Sequence, residues 1–371
     1  MRILWIPQIS CMSSDGKVLL NKDSNITFLR KLLSTQMFKR NEVDVCFEFN
    51  MKYEDLDNDF WKNFDGVVFR NTKREFAGAF NERFDFDSSR FMEIKNNNEK
   101  YDIIFVNEPS KVLPLKNIFK ESRVVTYIHW LAADNMKFLE YRQREGIENA
   151  DLCFVNSNFV IYKMKKLGYN TNNVRVFYPT ANEEIMDLKA DVGMNIIYNH
   201  RLSSDVYYKS AYNNLVRVMD MLEDDLGLEN MPTVYFTNPS GKDFDVEKDK
   251  PYFKKVELSD TETYVNFLKS KEVGIHLNTF FDSEGMWCSS TTDCACYGVK
   301  CLLPKKFGYA EIFSDDYYGY CHNVEEMYVK LRSMILSGSK IGFETMKKDM
   351  EKLKADTIAD CVEKELENIL K

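Results

Sequence analysis

The sequence predicts an α/β protein with two doubly wound parallel sheets. Three observations support this fold class. The chain has 371 residues, which is more than one ordinary core holds. Short apolar runs alternate with segments of helical periodicity, and this alternation stops near residue 180 and begins again near residue 195. Because short apolar strands separated by helices are typical of parallel sheets covered on both faces, we expect two such domains in succession.

The first half of the chain contains the strands of one predicted sheet. A helix is predicted over residues 26–36, where apolar side chains recur at helical spacing. Residues 1–180 are therefore expected to form a Rossmann-like domain, and residues 178–191 to connect it to the next domain. Strands are predicted at residues 2–6, 43–47, 66–70, 101–106, 123–128, 152–155 and 174–177.

The same pattern begins again in the second half. Residues 192–342 are expected to form a second Rossmann-like domain, and the charged residues 343–371 a helical tail that packs back on the N-terminal domain. Strands are predicted at residues 195–198, 233–236, 273–277 and 301–304, and helices at residues 211–222, 261–269, 291–297 and 324–336.

Composition and charge limit the functions to consider. The net charge of −8 argues against a protein that coats nucleic acid, although it leaves room for a local basic groove. No run of about 18 apolar residues is present, so no membrane insertion is predicted. The first apolar run is too short for a signal peptide, and the nine cysteines are therefore expected to be reduced thiols of a cytoplasmic protein.

Four of the cysteines lie close together in the sequence, at residues 288, 294, 296 and 301. The spacing of Cys294 and Cys296 is not that of a CxxC metal-binding pair, and the segment has the pattern of a helix followed by a strand. No metal site is predicted here.

Polar residues that follow the predicted strands are the candidates for chemistry, because ligands of open α/β sheets bind beyond the carboxyl ends of the strands. The first strand is not followed by GxGxxG, so a dinucleotide site is not supported. The strand at 123–128 is followed by His129, a candidate acid, base or hydrogen-bond donor. The strand at 195–198 is followed by Arg201, and Lys209 stands near the start of the next helix. Together these two cations suit a diphosphate, although alone they are equally compatible with a surface pair.

A later stretch adds carboxylates and hydroxyls in a similar position. The strand at 273–277 is followed by Glu284 and Gly285 in a turn, and a Ser/Thr cluster then opens a helix with free amide donors. Residues selected from this stretch as candidate ligand contacts are Glu284, Gly285, Ser289, Ser290, Asp293 and Glu311.

The order of these segments resembles the C-terminal domain of GT-B glycosyltransferases, most closely the retaining GT4-type families. Residues 200–202 are similar to the family's Gly-Arg-Leu strand end, residues 284–286 to its E-G-F turn, and residues 293–298 to its E-A-M-A-x-G helix. The sequence departs from the family at His200, which replaces glycine, and at Asp293, which replaces glutamate one residue further from Glu284. The Gly-rich loop after the first strand is absent as well.

The resemblance implies a fold and a chemistry. The fold is GT-B, in which two Rossmann-like domains face a central cleft. Arg201 and Lys209 would stabilise the charge on the departing nucleotide diphosphate, and Asp293 would hold the ribose. Glu284 and the backbone of residues 285–290 would contact the donor sugar and phosphate. His129 would bond the sugar or acceptor across the cleft. The co-substrate would be a nucleotide-diphosphate sugar, most simply a UDP-sugar, with no permanently bound cofactor and no required metal.

The acceptor is less defined by the sequence. The chain also resembles bacteriophage enzymes that glycosylate modified bases of their own DNA, which implies a hexosyl- or pentosyltransferase acting on 5-hydroxymethylcytosine in double-stranded DNA in the host cytoplasm. A stretch of basic residues interleaved with aromatic ones would contact its phosphates: Arg70, Lys73, Arg74, Arg83 and Arg90. The alternatives are a lipid, glycan or small-molecule acceptor, a nucleotide-sugar epimerase of GT-B shape that would use Glu108, and a non-catalytic nucleotide-sugar binder.

Overall fold

The chain was analysed as a computed structural model, which divides into two compact units. The first unit comprises Met1–Thr180 together with Ala355–Lys371, and the second comprises Ala181–Lys354. The structure describes residues 1–8, 24–48, 59–70, 84–97, 100–128, 131, 137–181, 184–189, 193–203, 206–237, 245–258, 261–282, 284–285, 287–338, 340 and 342–371.

The first unit is built on a seven-stranded parallel sheet with the order β3-β2-β1-β4-β5-β6-β7. Its central strands have no exposed face, as expected for a parallel sheet covered by helices. The strands are β1 (Arg2–Ile6), β2 (Glu42–Phe47), β3 (Val68–Arg70), β4 (Ile103–Val106), β5 (Arg123–Ile128), β6 (Leu152–Val155) and β7 (Val174–Val176).

Helices connect these strands and cover the sheet. They are α1 (Ser24–Leu33), α2 (Gln36–Arg40), α3 (Asp59–Lys62), α4 (Ser88–Asn96), α5 (Val112–Ile118), α6 (Lys137–Asn149) and α7 (Asn158–Lys166). A stack of buried aromatic rings fills one layer: the Trp5 and Phe105 ring centroids are 4.2 Å apart, and Phe105 also stacks on Phe154 at 6.1 Å. Burial of these rings removes a large apolar area from water and so stabilises this layer.

The second unit contains a six-stranded parallel sheet with the order β10-β9-β8-β11-β12-β13. Its strands are β8 (Ile196–Tyr198), β9 (Val234–Phe236), β10 (Phe253–Lys255), β11 (Ile275–Leu277), β12 (Lys300–Pro304) and β13 (Tyr320–Cys321). Its helices are α8 (Val206–Leu226), α9 (Val246–Asp249), α10 (Thr261–Lys269), α11 (Ser289–Cys296), α12 (Val324–Ser337) and α13 (Met346–Glu351).

The last helix, α14 (Ala355–Leu370), belongs to the first unit. Ile358, Ala359, Val362 and Leu366 are buried on one face and join the core formed by β1, β2 and α1. The tail from residue 343 therefore divides between the units, because α13 stays with the second unit and α14 packs on the first.

Each sheet has a point at which its strand order reverses. In the first sheet this point lies between β1 and β4, and in the second it lies between β8 and β11. Ligands of doubly wound sheets bind beyond the carboxyl ends of the strands at such points. The segments that follow β8 and β11 are therefore the first place to look for a site.

The predicted fold class is confirmed: the chain is α/β with two parallel, helix-covered sheets. Several boundaries differ. Helix α8 begins at Val206 rather than residue 211, and α11 begins at Ser289 rather than residue 291. Strands β10 and β13 were not predicted. None of the described helices is long and apolar enough to cross a membrane.

Candidate functional site

The segment after β8 touches the first turn of α11. Strands β8 and β11 are adjacent and parallel, with His276 in register with Ile197. The Asn199 side-chain amide donates to the Tyr264 hydroxyl at 2.6 Å and to the Ser290 carbonyl at 3.2 Å. Arg201 comes two residues later, is exposed, and forms no ion pair with another described residue. The residue two positions before this cation is therefore hydrogen-bonded to the start of a helix.

The first turn of α11 presents hydroxyls and backbone donors. Ser289 is exposed and Ser290 is half-buried, and the Cys288 side chain at the N-cap makes no capping hydrogen bond. Asp293 lies one turn further along and is half-buried. A helix N-terminus attracts negative charge through its amide groups and its dipole, so this turn suits an anion.

Lys209 lies in the first turn of α8, and its side chain is exposed. The next residue ties this helix to the loop after β11, because the Ser210 hydroxyl donates to Asp282 Oδ2 at 2.7 Å. Asn214 donates to the same oxygen at 2.7 Å. These two hydrogen bonds hold the pKa of the Asp282 carboxyl below its usual range. The positive charge of Lys306 lowers it further, to a lesser extent. Asp282 was not predicted to be important, since a lone aspartate in a turn carries no distinctive sequence signal.

A close backbone approach joins the loop after β11 to the turn after β12. The Gly308 amide donates to the Gly285 carbonyl at 3.0 Å. A Cβ atom on Gly285 would stand 1.8 Å from Cζ of the buried Tyr309 ring, so only glycine fits at this position. Glu284 beside it is exposed, and Glu311 is half-buried at the end of the 3₁₀ turn Phe307–Glu311.

The contacts described above involve five segments, those after β8, β11 and β12 and the starts of α8 and α11, which carry eight of the nine residues selected from the sequence. The residues are Arg201, Lys209, Glu284, Gly285, Ser289, Ser290, Asp293 and Glu311. His129, the ninth, lies outside the described residues. The arrangement combines exposed cations and a helix N-terminus with carboxylates nearby, which suits a ligand with both phosphate and hydroxyl groups.

Two buried histidines lie behind these segments. His200 is 6% exposed and His276 is fully buried, and burial lowers the pKa of both, that of His200 to about 4. Both rings are therefore neutral near pH 7. Among the described residues, no group of three or more His, Cys, Asp or Glu side chains is arranged to hold a metal ion.

The corresponding edge of the first sheet carries a second polar cluster. Glu108 follows β4 and is 3% exposed; its carboxylate accepts from the Ser110 amide at 3.1 Å and from Gln8 Nε2 at 3.2 Å. A buried ion pair between Lys111 and Glu48 lies beside it. Burial raises the pKa of Glu108, and the amide of Ser110 and the charge of Lys111 partly offset that rise.

A cavity of about 790 Å³ lies at the opposite edge of the same sheet. Arg2 and Glu42, at the amino ends of β1 and β2, line it together with Phe38, Phe60 and Phe64. Since ligands of such sheets bind at the carboxyl edge, the cavity is not the site described above.

The fold is similar to that of several solved proteins. HepE from Anabaena, in complex with UDP and glucose, aligns over 99% of this chain and 100% of its own, with a TM-score of 0.67 and 12% identity. A further HepE structure contains UDP-glucose and aligns equally well. Sucrose-phosphate synthase from Thermosynechococcus elongatus aligns over 97% of each chain, with a TM-score of 0.71 and 12% identity.

The lipopolysaccharide outer core galactosyltransferase WaaB aligns over 100% of this chain and 99% of its own, with a TM-score of 0.63 and 13% identity. No protein-family model matches the sequence, and no curated protein matches it. Identities of 12% to 13% carry the fold alone. The chain therefore has the GT-B fold that the sequence resemblance implies.

Proposed function

We propose that this protein is a glycosyltransferase that moves a sugar from a nucleotide-diphosphate sugar, with UDP as the nucleotide, to a hydroxyl acceptor. One observation carries the proposal: Asn199 and His200, directly before the exposed Arg201, hydrogen bond to Ser290 in the first turn of α11. In this proposal a cation and a helix N-terminus lie together at the switch point of the second sheet, where a diphosphate would find two kinds of donor.

In this proposal the second unit binds the donor. Transfer breaks the bond between the anomeric carbon and the diphosphate oxygen, and a new bond forms to the acceptor oxygen, whose hydroxyl proton is lost. Negative charge grows on the departing diphosphate, where Arg201, Lys209 and the α11 amides would stabilise it. Asp293 would accept from the ribose hydroxyls, and Glu284 and Glu311 from the sugar.

The comparisons favour a UDP-sugar over other donors. HepE, which shares the fold, was solved with UDP and with UDP-glucose. At the level of fold, this supports UDP as the first nucleotide to test.

For the acceptor we keep the hydroxylated DNA base that the sequence resemblance implies. Three of the five residues predicted to contact DNA phosphates lie outside the described residues: Lys73, Arg74 and Arg83. Arg90 adds little, because its guanidinium pairs with Glu93 at 2.6 Å and lies over the Phe69 ring. Support for the DNA acceptor therefore comes from the sequence resemblance alone.

A panel experiment tests both halves of the proposal. The full-length protein is incubated with UDP-, GDP- and ADP-sugars and with hydroxymethylated DNA, unmodified DNA, a glycan mixture and buffer alone, followed by mass spectrometry of nucleosides and glycans. A mass gain of one sugar on the hydroxymethylated DNA supports the full proposal, and a gain only on a glycan replaces the acceptor. An altered nucleotide sugar without transfer indicates an epimerase, and binding without turnover indicates a non-catalytic binder. In any transfer product, the anomeric configuration determined by NMR shows whether the reaction retains stereochemistry.

Replacing Arg201 tests the leaving-group role. We expect Arg201→Ala to lower kcat about 100-fold or more, because the developing diphosphate charge loses its guanidinium partner. Arg217→Ala is the matched control, since Arg217 is an exposed arginine of α8 whose partner is Glu325. Turnover is measured by UDP release. If Arg201→Ala retains the turnover of Arg217→Ala, Arg201 has no role in the reaction.

A further inference from the structure

His200 is an unusual residue for its position at the end of β8. It stands where the resembling glycosyltransferase families have glycine, and its imidazole is 6% exposed. The Tyr198 and Phe280 rings contact it edge-on, each with a centroid 4.9 Å away, and the His276 ring lies 5.2 Å away. A buried polar ring normally needs hydrogen-bond partners for its nitrogens.

Both nitrogens of His200 have a partner. Nε2 lies 3.2 Å from the carbonyl oxygen of Leu277, the last residue of β11, and Nδ1 lies 3.2 Å from the Ser290 hydroxyl. A carbonyl oxygen can only accept, so the proton of the neutral ring is on Nε2. Nδ1 is then an acceptor, and the Ser290 hydroxyl donates to it. His200 therefore bridges the end of one strand and the first turn of α11.

The same turn is tied to the sheet at a second point. His276 Nε2 lies 3.0 Å from the Thr291 hydroxyl, which donates to Cys288 Sγ at 3.2 Å. Cys288 Sγ in turn lies 3.2 Å from the Ser290 hydroxyl. The chain of contacts thus runs from His276 through the N-cap and first turn of α11 to His200, and its polar atoms have mutually compatible roles as donors and acceptors.

We propose that His200 is a positioning residue of the donor site: its neutral imidazole holds the first turn of α11 at a fixed place beside Arg201, so that the helix amides and the guanidinium meet the same diphosphate. The inference rests on the proposed function of this site. The glycosyltransferase families that the sequence resembles have glycine at this position. With glycine at position 200, the Ser290 hydroxyl and the Leu277 carbonyl would each lose a hydrogen-bond partner, and the volume that the imidazole fills would be empty.

Four variants test this role: His200→Ala, His200→Gln, Ser290→Ala and the control His322→Gln. Gln at 200 can offer one donor and one acceptor, whereas Ala offers neither. His322 is an exposed histidine of the same unit that pairs with Glu326 at 2.8 Å. The dissociation constant of UDP is measured by titration calorimetry at pH 7.5, with the melting temperature of each variant as a check on folding.

We expect His200→Ala and Ser290→Ala to weaken UDP binding about tenfold, with His200→Gln between them and the wild type, and with His322→Gln unchanged. Ser290→Ala keeps the buried ring, so it still gives a result if His200→Ala fails to fold. In turnover assays KM for the donor should rise and kcat should fall. The reason is that the helix would contact the diphosphate both in the bound donor and as it departs.

The outcomes separate this inference from the proposed function. If Arg201→Ala weakens UDP binding while folded Ser290→Ala and His200→Gln bind UDP as the wild type does, the positioning role is overturned and the donor site stands. If the wild type binds none of UDP, GDP and ADP, both are overturned. If UDP binds most weakly to His200→Ala, more tightly to His200→Gln and most tightly to the wild type, the positioning role is supported.

Discussion

The buried imidazole of His200 makes the stability of the second unit depend on pH. Burial lowers its pKa to about 4, partly offset by the hydrogen bond to the Leu277 carbonyl, whereas an unfolded chain has a histidine pKa near 6.5. The unfolded state therefore binds more protons between pH 4 and 6.5, so stability falls as the pH is lowered through this window. Above pH 7 this contribution is constant.

The expected loss from His200 alone is about 3 kcal/mol between pH 7 and pH 4. Titratable groups beside the ring include the Tyr198 phenol, His276, whose pKa is also lowered by burial, and the Cys288 thiol, whose pKa is raised by burial. The free energy of unfolding in urea, measured from pH 4.5 to 7.5, should change less steeply in His200→Gln than in the wild type. Equal slopes in wild type and His200→Gln would contradict the buried neutral state.

At the scale of elements, the loop after β11 and the turn after β12 are held together by a contact that only glycine allows. We expect Gly285→Ala to lower the free energy of unfolding by about 1–3 kcal/mol, because the new methyl group would overlap the Tyr309 ring. Tyr309 is 2% exposed, so its ring has no free space to move into. The loop would shift instead, and UDP affinity should fall with stability.

Gly193→Ala is the control for this substitution. A methyl group there meets no atom nearer than 3.8 Å, so it should leave both stability and UDP binding unchanged. Urea unfolding and calorimetry measure the two effects. If Gly285→Ala matches Gly193→Ala in both, the close approach has no energetic importance.

The sequence indicated most elements but not all of their boundaries or contacts. Central strands such as β4 and β6 are continuous apolar runs, which is why they were predictable. β10 was missed because only Phe253 of its three residues is buried, so it has no apolar run. Helix α4 has a signal that could have found it: Asp87 caps it by accepting from the Ser89 amide, and Phe91 and Ile94 follow at helical spacing.

In the candidate site, too, local patterns were predictable from the sequence, whereas contacts between distant residues were not. Arg201 and the start of α11 were predictable because strand ends and Ser/Thr-opened helices are local patterns. The bond from Ser210 to Asp282 joins residues 72 apart in sequence, and neither residue carries a local signal of the pairing. The role of His200 as a bridge was equally out of reach, since both of its partners are defined only by the folded sheet.

At the scale of the whole molecule, the helix α14 belongs to the first unit, although the residues that precede it belong to the second. The amphipathic pattern over residues 355–370 predicts that this helix packs, and the sequence analysis expects the tail to lie on the N-terminal domain. The structure places α14 against α1 and α2, where the Asn41 amide donates to Glu363 at 3.0 Å and the Gln36 backbone amide to Asp356 at 3.1 Å. The first unit is therefore completed only when the last residues of the chain are in place.

Leu366 measures how much the first unit depends on this helix. It is fully buried in the core with Ile358 and Val362, whereas Leu370 of the same helix is 38% exposed. We expect Leu366→Ala to lower the free energy of unfolding of the first unit by about 2–5 kcal/mol, because a cavity replaces the side chain. Leu370→Ala should cost about 0.5 kcal/mol or less.

Tryptophan fluorescence during urea unfolding reports this difference, since two buried tryptophans, Trp5 and Trp61, belong to the first unit. UDP binding in the absence of urea should be the same in both variants, because the proposed donor residues lie in the second unit. A lower unfolding midpoint for Leu366→Ala with unchanged UDP affinity would assign the helix to the stability of the first unit. Equal midpoints for the two leucine variants would instead mean that the first unit folds without its last helix.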